Sequence, residues 1–343
     1  CMFWHIYMMY LIMKFYKSKK SHFFKIVLKK RFYLIILLSF LYKNSYSQVN
    51  IDNINDAQAF LQEYLNPLGN GLGAITNNGW YNSAKPHRLL GFDATFTISL
   101  LSFSNENKTF DPNSISNFSS SSSSSPTIIG KGNGAIVNYK DDEFKLPNQS
   151  NPIPLLALPN FNFGLGIFKK TELNGRLIPN YKYDFGFFSN GEISMWGVGF
   201  KHDLLQWIPV IGNAIPMSLS LQAGHTQLNS ELSVLDQSVN IDVQATNFNI
   251  IFSRKILMLT GYTSVGYNFS TTTFTAGENI SNSESFNLNE LEIDLPIEMK
   301  FENNREYRAN IGIRLNLAVI AIHANHTFSK YPVTTVGLGL SLR

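Results

Sequence analysis

Alternation of apolar and polar residues with a period of two is the feature that most constrains how this chain folds. Across residues 307–317 the odd positions carry apolar or aromatic side chains, and the even positions carry polar residues or glycine. Residues 333–342 alternate in the same way. Because successive side chains of a β-strand point to opposite faces, both segments are predicted to be strands with one apolar face and one polar face.

Two kinds of all-β protein show this pattern, and they differ in what covers the apolar face. A soluble sandwich buries that face beneath a second sheet, whereas a membrane barrel turns it to lipid and closes its last strand onto its first. The prediction is an all-β transmembrane antiparallel barrel of 10–14 strands, with an even strand number because both barrel ends lie in the periplasm. Further strands are predicted at 89–103, 161–168, 171–178, 192–201, 217–228, 239–252 and 256–269.

The first 47 residues differ in charge from the rest. Nine of the 28 Lys and Arg residues lie there and none of the 24 Asp and Glu, so the remainder carries 28 − 9 = 19 bases against 24 acids. A basic segment, an apolar core at 32–41 and the small residues Ser45 and Ser47 indicate a secretory signal peptide, with a membrane anchor as the alternative. Residues 1–24 are interpreted as an upstream extension. No basic patch remains, so no nucleic-acid partner is expected.

Residues 48–87 are predicted to form a short N-terminal helical plug in or under the lumen, ahead of a barrel at 88–343. Apolar residues three and four apart predict a helix over 52–68, ended by Pro67 and Gly69. The following Gly-rich stretch has neither the spacing nor the Lys of a phosphate-binding loop. Residues expected to form the plug are Gly69, Gly71, Gly73, Trp80 and Tyr81.

Two segments interrupt the alternating pattern. Residues 104–157 are rich in Ser, Asn and Asp and include seven consecutive serines, which predicts a long, poorly ordered polar loop outside the cell, with a hairpin around 127–139. Residues 203–216 are densely apolar. They are predicted either to lie at the membrane interface, where the indole of Trp207 is favoured, or to form a hydrophobic loop under the plug.

Charged residues within the predicted strands are expected to avoid lipid and face the lumen. The candidate lumen-lining residues are Asp93, Arg308, Arg314, Glu292 and Glu298. Two interpretations of these charges remain open: internal ion pairs that fill a narrow barrel, or a charged lining along a pore.

Several stretches resemble an uncharacterised family of Gram-negative outer-membrane barrel proteins that is known as a domain of unknown function. The stretches that carry the resemblance are 67–69, 79–81 with Ala84 and His87, 159–179 with Thr171 and Arg176, 197–203, 206–209 and 337–343. A plug ahead of a barrel is also remotely similar to the FadL long-chain fatty-acid transporter family, although Asn66-Pro67-Leu68 departs from that family's Asn-Pro-Ala motif. This second resemblance implies passage of a hydrophobic compound.

The residues themselves offer little chemistry. The single cysteine, Cys1, permits no internal disulfide, and no cofactor or metal is expected; His323 and His326 fall on opposite strand faces and would be poor joint ligands. The leading hypothesis is therefore a monomeric, non-enzymatic barrel in outer-membrane lipid that passes a small, hydrophobic compound. The alternatives are a surface barrel that displays its loops for adhesion or assembly, and a hydrolase that uses His202.

Overall fold

The computed structural model describes residues 49–50, 54–140, 142–150, 152–185, 188–208, 217–234, 237–277, 285–288, 291–294 and 296–342. The predicted signal peptide therefore lies outside the described residues, as do residues 209–216 of the apolar segment. Within the described ranges there are one α-helix, α1 (Ile54–Thr76), and 18 strands. No helix among them combines the length and apolar character that a membrane-crossing helix needs.

Ten long strands form a closed antiparallel barrel, which confirms the predicted architecture at the lower end of the expected strand number. They are β2 (Phe92–Ser102), β8 (Leu155–Ile167), β9 (Thr171–Phe185), β10 (Phe188–Asp203), β11 (Ser218–Val234), β12 (Gln237–Ile256), β13 (Leu259–Ala276), β16 (Ile297–Leu317), β17 (Ile320–Phe328) and β18 (Val333–Leu342). Sequence neighbours pair around the wall, and β18 closes it by pairing with β2 from Val333↔Leu101 to Leu342↔Phe92.

The remaining strands are short. They are β1 (Val49–Asn50), β3 (Thr109–Phe110), β4 (Phe118–Ser119), β5 (Ser125–Pro126), β6 (Ile136–Tyr139), β7 (Asp142–Lys145), β14 (Ser285–Leu288) and β15 (Leu291–Asp294). They form small sheets of two or three strands outside the barrel wall.

The two ends of the barrel differ in their connections. At the end we call the turn end, short turns at 168–170, 257–258 and 318–319 join neighbouring strands, and residues 204–217 join β10 to β11. The opposite loop end carries the two longest connections, 103–154 and 277–296, together with three short ones. The predicted boundary between strands 239–252 and 256–269 is wrong: β12 continues in register to Ile256, and the turn is made by Leu257 and Met258. A positive φ of 55° at Leu257 supplies the tight reversal.

The apolar and polar faces of the wall exchange places along the strands. From Tyr307 to Leu317, β16 turns Ile311 and Ile313 outward and buries Arg308 and Arg314. Nearer the loop end, the same strand buries Ile297, Met299 and Phe301 and exposes the charged residues between them. A similar exchange occurs on β12 and β13. The barrel thus has an apolar outer belt towards the turn end and a polar outer surface towards the loop end.

The helix α1 runs past the predicted stop at Pro67 and Gly69 and ends at Thr76. The helix continues beyond this point because of tertiary packing. It lies against the inner wall, and its glycines occupy positions where a side chain would collide with the wall. A Cβ atom at Gly71 would come within 2.9 Å of the Phe103 ring, and one at Gly69 would overlap the Phe301 ring. Close packing stabilises helical glycines that would weaken an isolated helix.

The described residues within 104–154 form an ordered cap on the loop end of α1, in contrast to the prediction of a poorly ordered loop. Its hairpin, β6 and β7, spans 136–145 instead of 127–139. Aromatic side chains of the cap, including Phe110 and Phe118, are buried against Phe60 of α1. The apolar residues scattered among the serines are thus buried against α1. The composition of the segment alone does not reveal this burial.

Candidate functional site

The lumen is filled by the plug, which consists of α1 and the extended segment 77–91. α1 begins at the loop end, where Gln62 donates to the carbonyl of Lys300 at 2.9 Å. The segment after the helix runs to the turn end. There the Leu90 amide donates to the carbonyl of Gly166 at 2.9 Å. The plug therefore crosses the lumen from one end to the other.

Buried arginines of the wall bind the plug at its midpoint. Arg308 donates to the carbonyl of Asn77 at 2.9 Å and to the side-chain oxygen of Asn78 at 2.7 Å. Arg176 donates to the carbonyl of Thr76, the last residue of α1, at 2.8 Å. Charge-assisted hydrogen bonds are the stronger kind, and here they satisfy carbonyls that a helix end leaves free.

The aromatic pair Trp80 and Tyr81 fits into the wall below the arginines. Trp80 is 6% exposed and lies between the Arg176 guanidinium, 4.9 Å from its ring, and the backbone at Gly224. Tyr81 is buried beside Tyr262, with ring centroids 6.3 Å apart in an edge-to-face arrangement. Both sequence-predicted aromatic plug residues thus lie inside the barrel, packed against its wall.

At the turn end the plug is held by buried ions. His87 contacts Glu172 through Nδ1 at 2.7 Å, and its backbone amide donates to the same carboxylate. Lys201 lies 3.0 Å from Glu172 on the other side, and both side chains are almost fully buried. Buried charges are tolerated when paired and hydrogen-bonded, so this group fixes the exit of the plug from the lumen.

The lumen contains little free space beside Trp80 and Tyr81. The cavity between Trp80, Tyr81 and the wall strands β2, β8 and β9 has a volume of about 20 Å³. A single water molecule needs roughly 10–15 Å³ in this measure. The plugged barrel therefore offers no open aqueous path along this part of its axis.

The structure separates the five residues that the sequence proposed for the lumen. Asp93, Arg308 and Arg314 are buried inside the wall, and Arg314 lies 3.8 Å from Asp93. Glu298 is instead an outward residue of β16, 3.0 Å from Lys300, and Glu292 belongs to β15 in a small sheet outside the wall. The assignment of Glu298 to the lumen is wrong because it assumed a polar interior along the whole strand, and that of Glu292 is wrong because β15 is not a strand of the barrel wall.

Two other residues that the sequence analysis named, Trp207 and His202, lie at the turn end and contact each other. Trp207 lies in a 3₁₀ turn at Leu205–Trp207, is 65% exposed, and donates from its indole to Nε2 of His202 at 2.9 Å. The other ring nitrogen of His202 lies 2.8 Å from the Thr171 hydroxyl. Within the described residues, no group of three or more His, Cys, Asp or Glu side chains could hold a metal ion.

A gap opens in the barrel wall between β8 and β9. The two strands pair from Ile167↔Thr171 to Phe161↔Leu177, and no further pair between them is found in the described residues. Continued in the same register, the ladder would place Pro159 opposite Pro179. Neither proline has an N–H to donate, so the ladder cannot continue through this position. Beyond it, β8 stays paired with β2 and β9 with β10.

An apolar pocket of about 530 Å³ lies at this gap. Its inner side is formed by Leu72 and Ile75 of α1 with Leu228 of β11, and its outer side by Phe161 and Tyr181. None of the described residues that line it is Lys, Arg, Asp or Glu. The volume falls in the range of roughly 300–1,000 Å³ that small-molecule sites occupy. The pocket thus connects the apolar part of the lumen with the outer surface of the barrel.

Sequence reasoning missed this pocket, although a signal for it was present. Pro159 and Pro179 are equally distant from the turn at 168–170, so in a hairpin they must face each other across the two strands. The inward apolar residues that line the pocket could not be found in this way. Their direction depends on the exchange of faces along the strands.

Fold and site together define a closed ten-stranded antiparallel barrel with a plugged lumen and an apolar pocket in its wall. Residues 28–342 match a family of unknown function (DUF6588), and the chain belongs to this family. No curated protein sequence matches the chain.

Solved structures similar to this chain include a translocator domain and a transporter. One is the translocator domain of the autotransporter NalP from Neisseria meningitidis, 9% identical with a TM-score of 0.31, covering 84% of this chain and 97% of that chain. The other is the Ralstonia pickettii toluene transporter TbuX, 7% identical with a TM-score of 0.23, covering 79% and 97%.

Proposed function

We propose that this protein is a monomeric outer-membrane barrel that binds small hydrophobic compounds in the wall pocket and passes them passively between the pocket and lipid. The observation that carries the proposal is the apolar pocket of about 530 Å³ at the gap between β8 and β9. A lumen filled by the plug favours such a lateral route over an aqueous channel. The chain acts as a binding and transport protein, with no catalytic step.

The outer belt supports the membrane location. Tyr307 to Leu317 of β16 spans a length that matches the roughly 9–11 residues of a membrane-crossing strand. The exchange of faces beyond this belt places charged residues such as Glu298 and Lys300 outside it, where water can solvate them. Short turns face the periplasm and long connections the outside in such barrels, which orients the loop end outward. Export requires the signal peptide predicted before residue 48.

Filling the pocket tests the proposal. Leu228→Trp places a larger side chain in the pocket, and Leu338→Trp, on the exposed face of β18, is the matched control. Cells of a Gram-negative host that produce each form are given N-phenyl-1-naphthylamine, whose fluorescence rises when it reaches lipid. We expect the wild type and Leu338→Trp to speed entry of the dye, and Leu228→Trp to lose most of that increase.

A second variant addresses the gap itself. Pro159→Val combined with Pro179→Val restores two backbone donors and allows the ladder between β8 and β9 to extend. The expected result is slower dye entry with an intact barrel, verified by its heat-dependent mobility in gels. Equal dye entry for every form and for cells without the protein would overturn the transport proposal and leave surface display of the loops as the function to test.

A further inference from the structure

The wall pocket contains one polar group without a partner. Asn160 lies on the inner face of β8, is 1% exposed and lines the pocket. Its side-chain nitrogen Nδ2 has no hydrogen-bond partner within the described part of the chain. A buried amide donor left unsatisfied is unfavourable because it has lost its hydrogen bonds to water, so a native site is expected to supply an acceptor for it.

The neighbouring hydrogen bonds fix which way the Asn160 amide faces. Asn162 donates from Nδ2 to the hydroxyl oxygen of Thr97 at 2.7 Å. The Thr97 hydroxyl donates its proton to Oδ1 of Asn160 at 3.0 Å, which is closer than its other acceptor on that residue, the backbone carbonyl at 3.4 Å. The oxygen of Asn160 is therefore used by the wall, and its NH₂ group is left for a molecule in the pocket.

We infer that the pocket recognises a neutral, largely apolar compound that carries one oxygen acceptor, and that Asn160 Nδ2 donates the hydrogen bond to this oxygen. The inference rests on the proposed function and names its substrate class. No charged side chain is found among the described residues of the lining, which disfavours an ionised ligand because a carboxylate or ammonium would lose its hydration without compensation. A ketone, ester, ether or alcohol with an apolar body satisfies both conditions.

The other polar side chains of the lining do not compete for this role. Ser230 donates its hydroxyl proton to the carbonyl of Glu192 at 2.9 Å. Tyr181 is 61% exposed on the outer side of the gap, where its hydroxyl meets the surroundings of the barrel. Asn160 is thus the buried donor that can distinguish an oxygen-bearing ligand from a hydrocarbon of the same shape.

The test compares two compounds that differ by one atom group. 2-Decanone carries a carbonyl, and 2-methyl-1-decene replaces its oxygen with a CH₂ group. Each displaces N-phenyl-1-naphthylamine from the full chain in lipid nanodiscs, with protein-free nanodiscs correcting for partition. We expect the wild type to favour the ketone about tenfold, the factor that one satisfied buried donor supplies. Asn160→Leu should reduce this ratio to about one while keeping affinity for the alkene.

Asn249→Leu is the matched control, because it removes an amide that is 1% exposed, as Asn160 is, from a part of the wall outside the pocket, and it should keep the ketone preference. The infrared carbonyl band of bound 2-decanone gives a second readout: it should lie at lower frequency in the wild type than in Asn160→Leu. Equal displacement by both compounds in the wild type, or a preference unchanged in Asn160→Leu, would overturn this inference alone. No dye binding to the wild type would overturn the proposed function and this inference with it.

Discussion

The indole of Trp80 lies so close to Gly224 of β11 that a Cβ atom at Gly224 would come within 2.6 Å of the ring. Gly224 pairs with Gly199 of β10, where a Cβ atom would also come within 2.9 Å of the same ring. The wall therefore contains two neighbouring positions without side chains, and the plug inserts its largest side chain there. This packing joins the plug to the barrel more specifically than general apolar contact would.

Gly224→Val is expected to displace Trp80 and to loosen the plug. Overpacking of this kind costs about 1–3 kcal/mol, which should lower the melting temperature in detergent and expose segment 77–91 to protease. Gly261→Val is the control, since a Cβ atom at Gly261 meets nothing within 4 Å. Identical melting and protease patterns for the two variants would contradict the role assigned to Trp80.

Arg308→Ala should turn a closed barrel into a leaky one. The substitution removes the donors to Asn77 and Asn78, so the midpoint of the plug loses its attachment to the wall. Planar-bilayer recordings should show almost no conductance for the wild type and intermittent conductance for Arg308→Ala. Arg305→Ala, an exposed position on the same strand, should behave as the wild type. Absence of conductance through Arg308→Ala would contradict this prediction and would mean that other contacts hold the plug in place.

The outer belt makes a prediction about charge. Val265 and Thr273 both point outward on β13, Val265 within the belt and Thr273 beyond it. An arginine on the lipid face costs about 2–4 kcal/mol near the membrane midplane and much less near the interface. Val265→Arg should therefore lower the free energy of unfolding in lipid vesicles far more than Thr273→Arg does. Comparable losses for the two would argue against a membrane boundary between these positions.

Glu172→Gln should destabilise the turn end strongly. The substitution leaves Lys201 buried without its carboxylate at 3.0 Å, and breaking a buried pair in this way costs about 3–5 kcal/mol. The surface pair of Glu192 and Lys182 provides the comparison, because its lysine side chain is 84% exposed and Glu192→Gln should cost less than about 1 kcal/mol. Denaturant unfolding of both variants in lipid measures the difference.

Attachment of the cap to α1 should weaken at high pH. Burial raises the pKa of Tyr64, whose carbonyl accepts from Ile128 of the cap, to about 12. Folded Tyr64 thus keeps its proton where the unfolded chain, with a pKa of about 10, has lost it. Its contribution to stability is full below about pH 10 and is lost as the pH rises through 12.

Limited proteolysis of the cap between pH 8 and 12 measures this effect. Cleavage should increase above pH 10 in the wild type and depend less on pH in Tyr64→Phe. Tyr307→Phe, at a position 74% exposed on the barrel exterior, serves as the control and should follow the wild-type curve. A Tyr64→Phe curve that also follows the wild type would show that another group titrates.

The sequence by itself determined most of the barrel strands and an antiparallel barrel of 10–14 strands, a range that includes the ten observed. Period-two alternation in segments such as 307–317 and 333–342 identifies strands, because the backbone pleat alone decides which side chains share a face. The sequence also identified Trp80 and Tyr81 as residues of an N-terminal segment that the structure places inside the barrel.

Only the tertiary structure decided what each face meets. Ile297, Met299 and Phe301 alternate as regularly as Ile311 and Ile313, yet they face α1 instead of the exterior, since the helix fills the lumen at that level. The same long-range packing carries α1 past Pro67, orders the serine-rich cap, and separates β8 from β9 at paired prolines. Local periodicity records which residues lie together, and the medium they contact depends on elements far away in the chain.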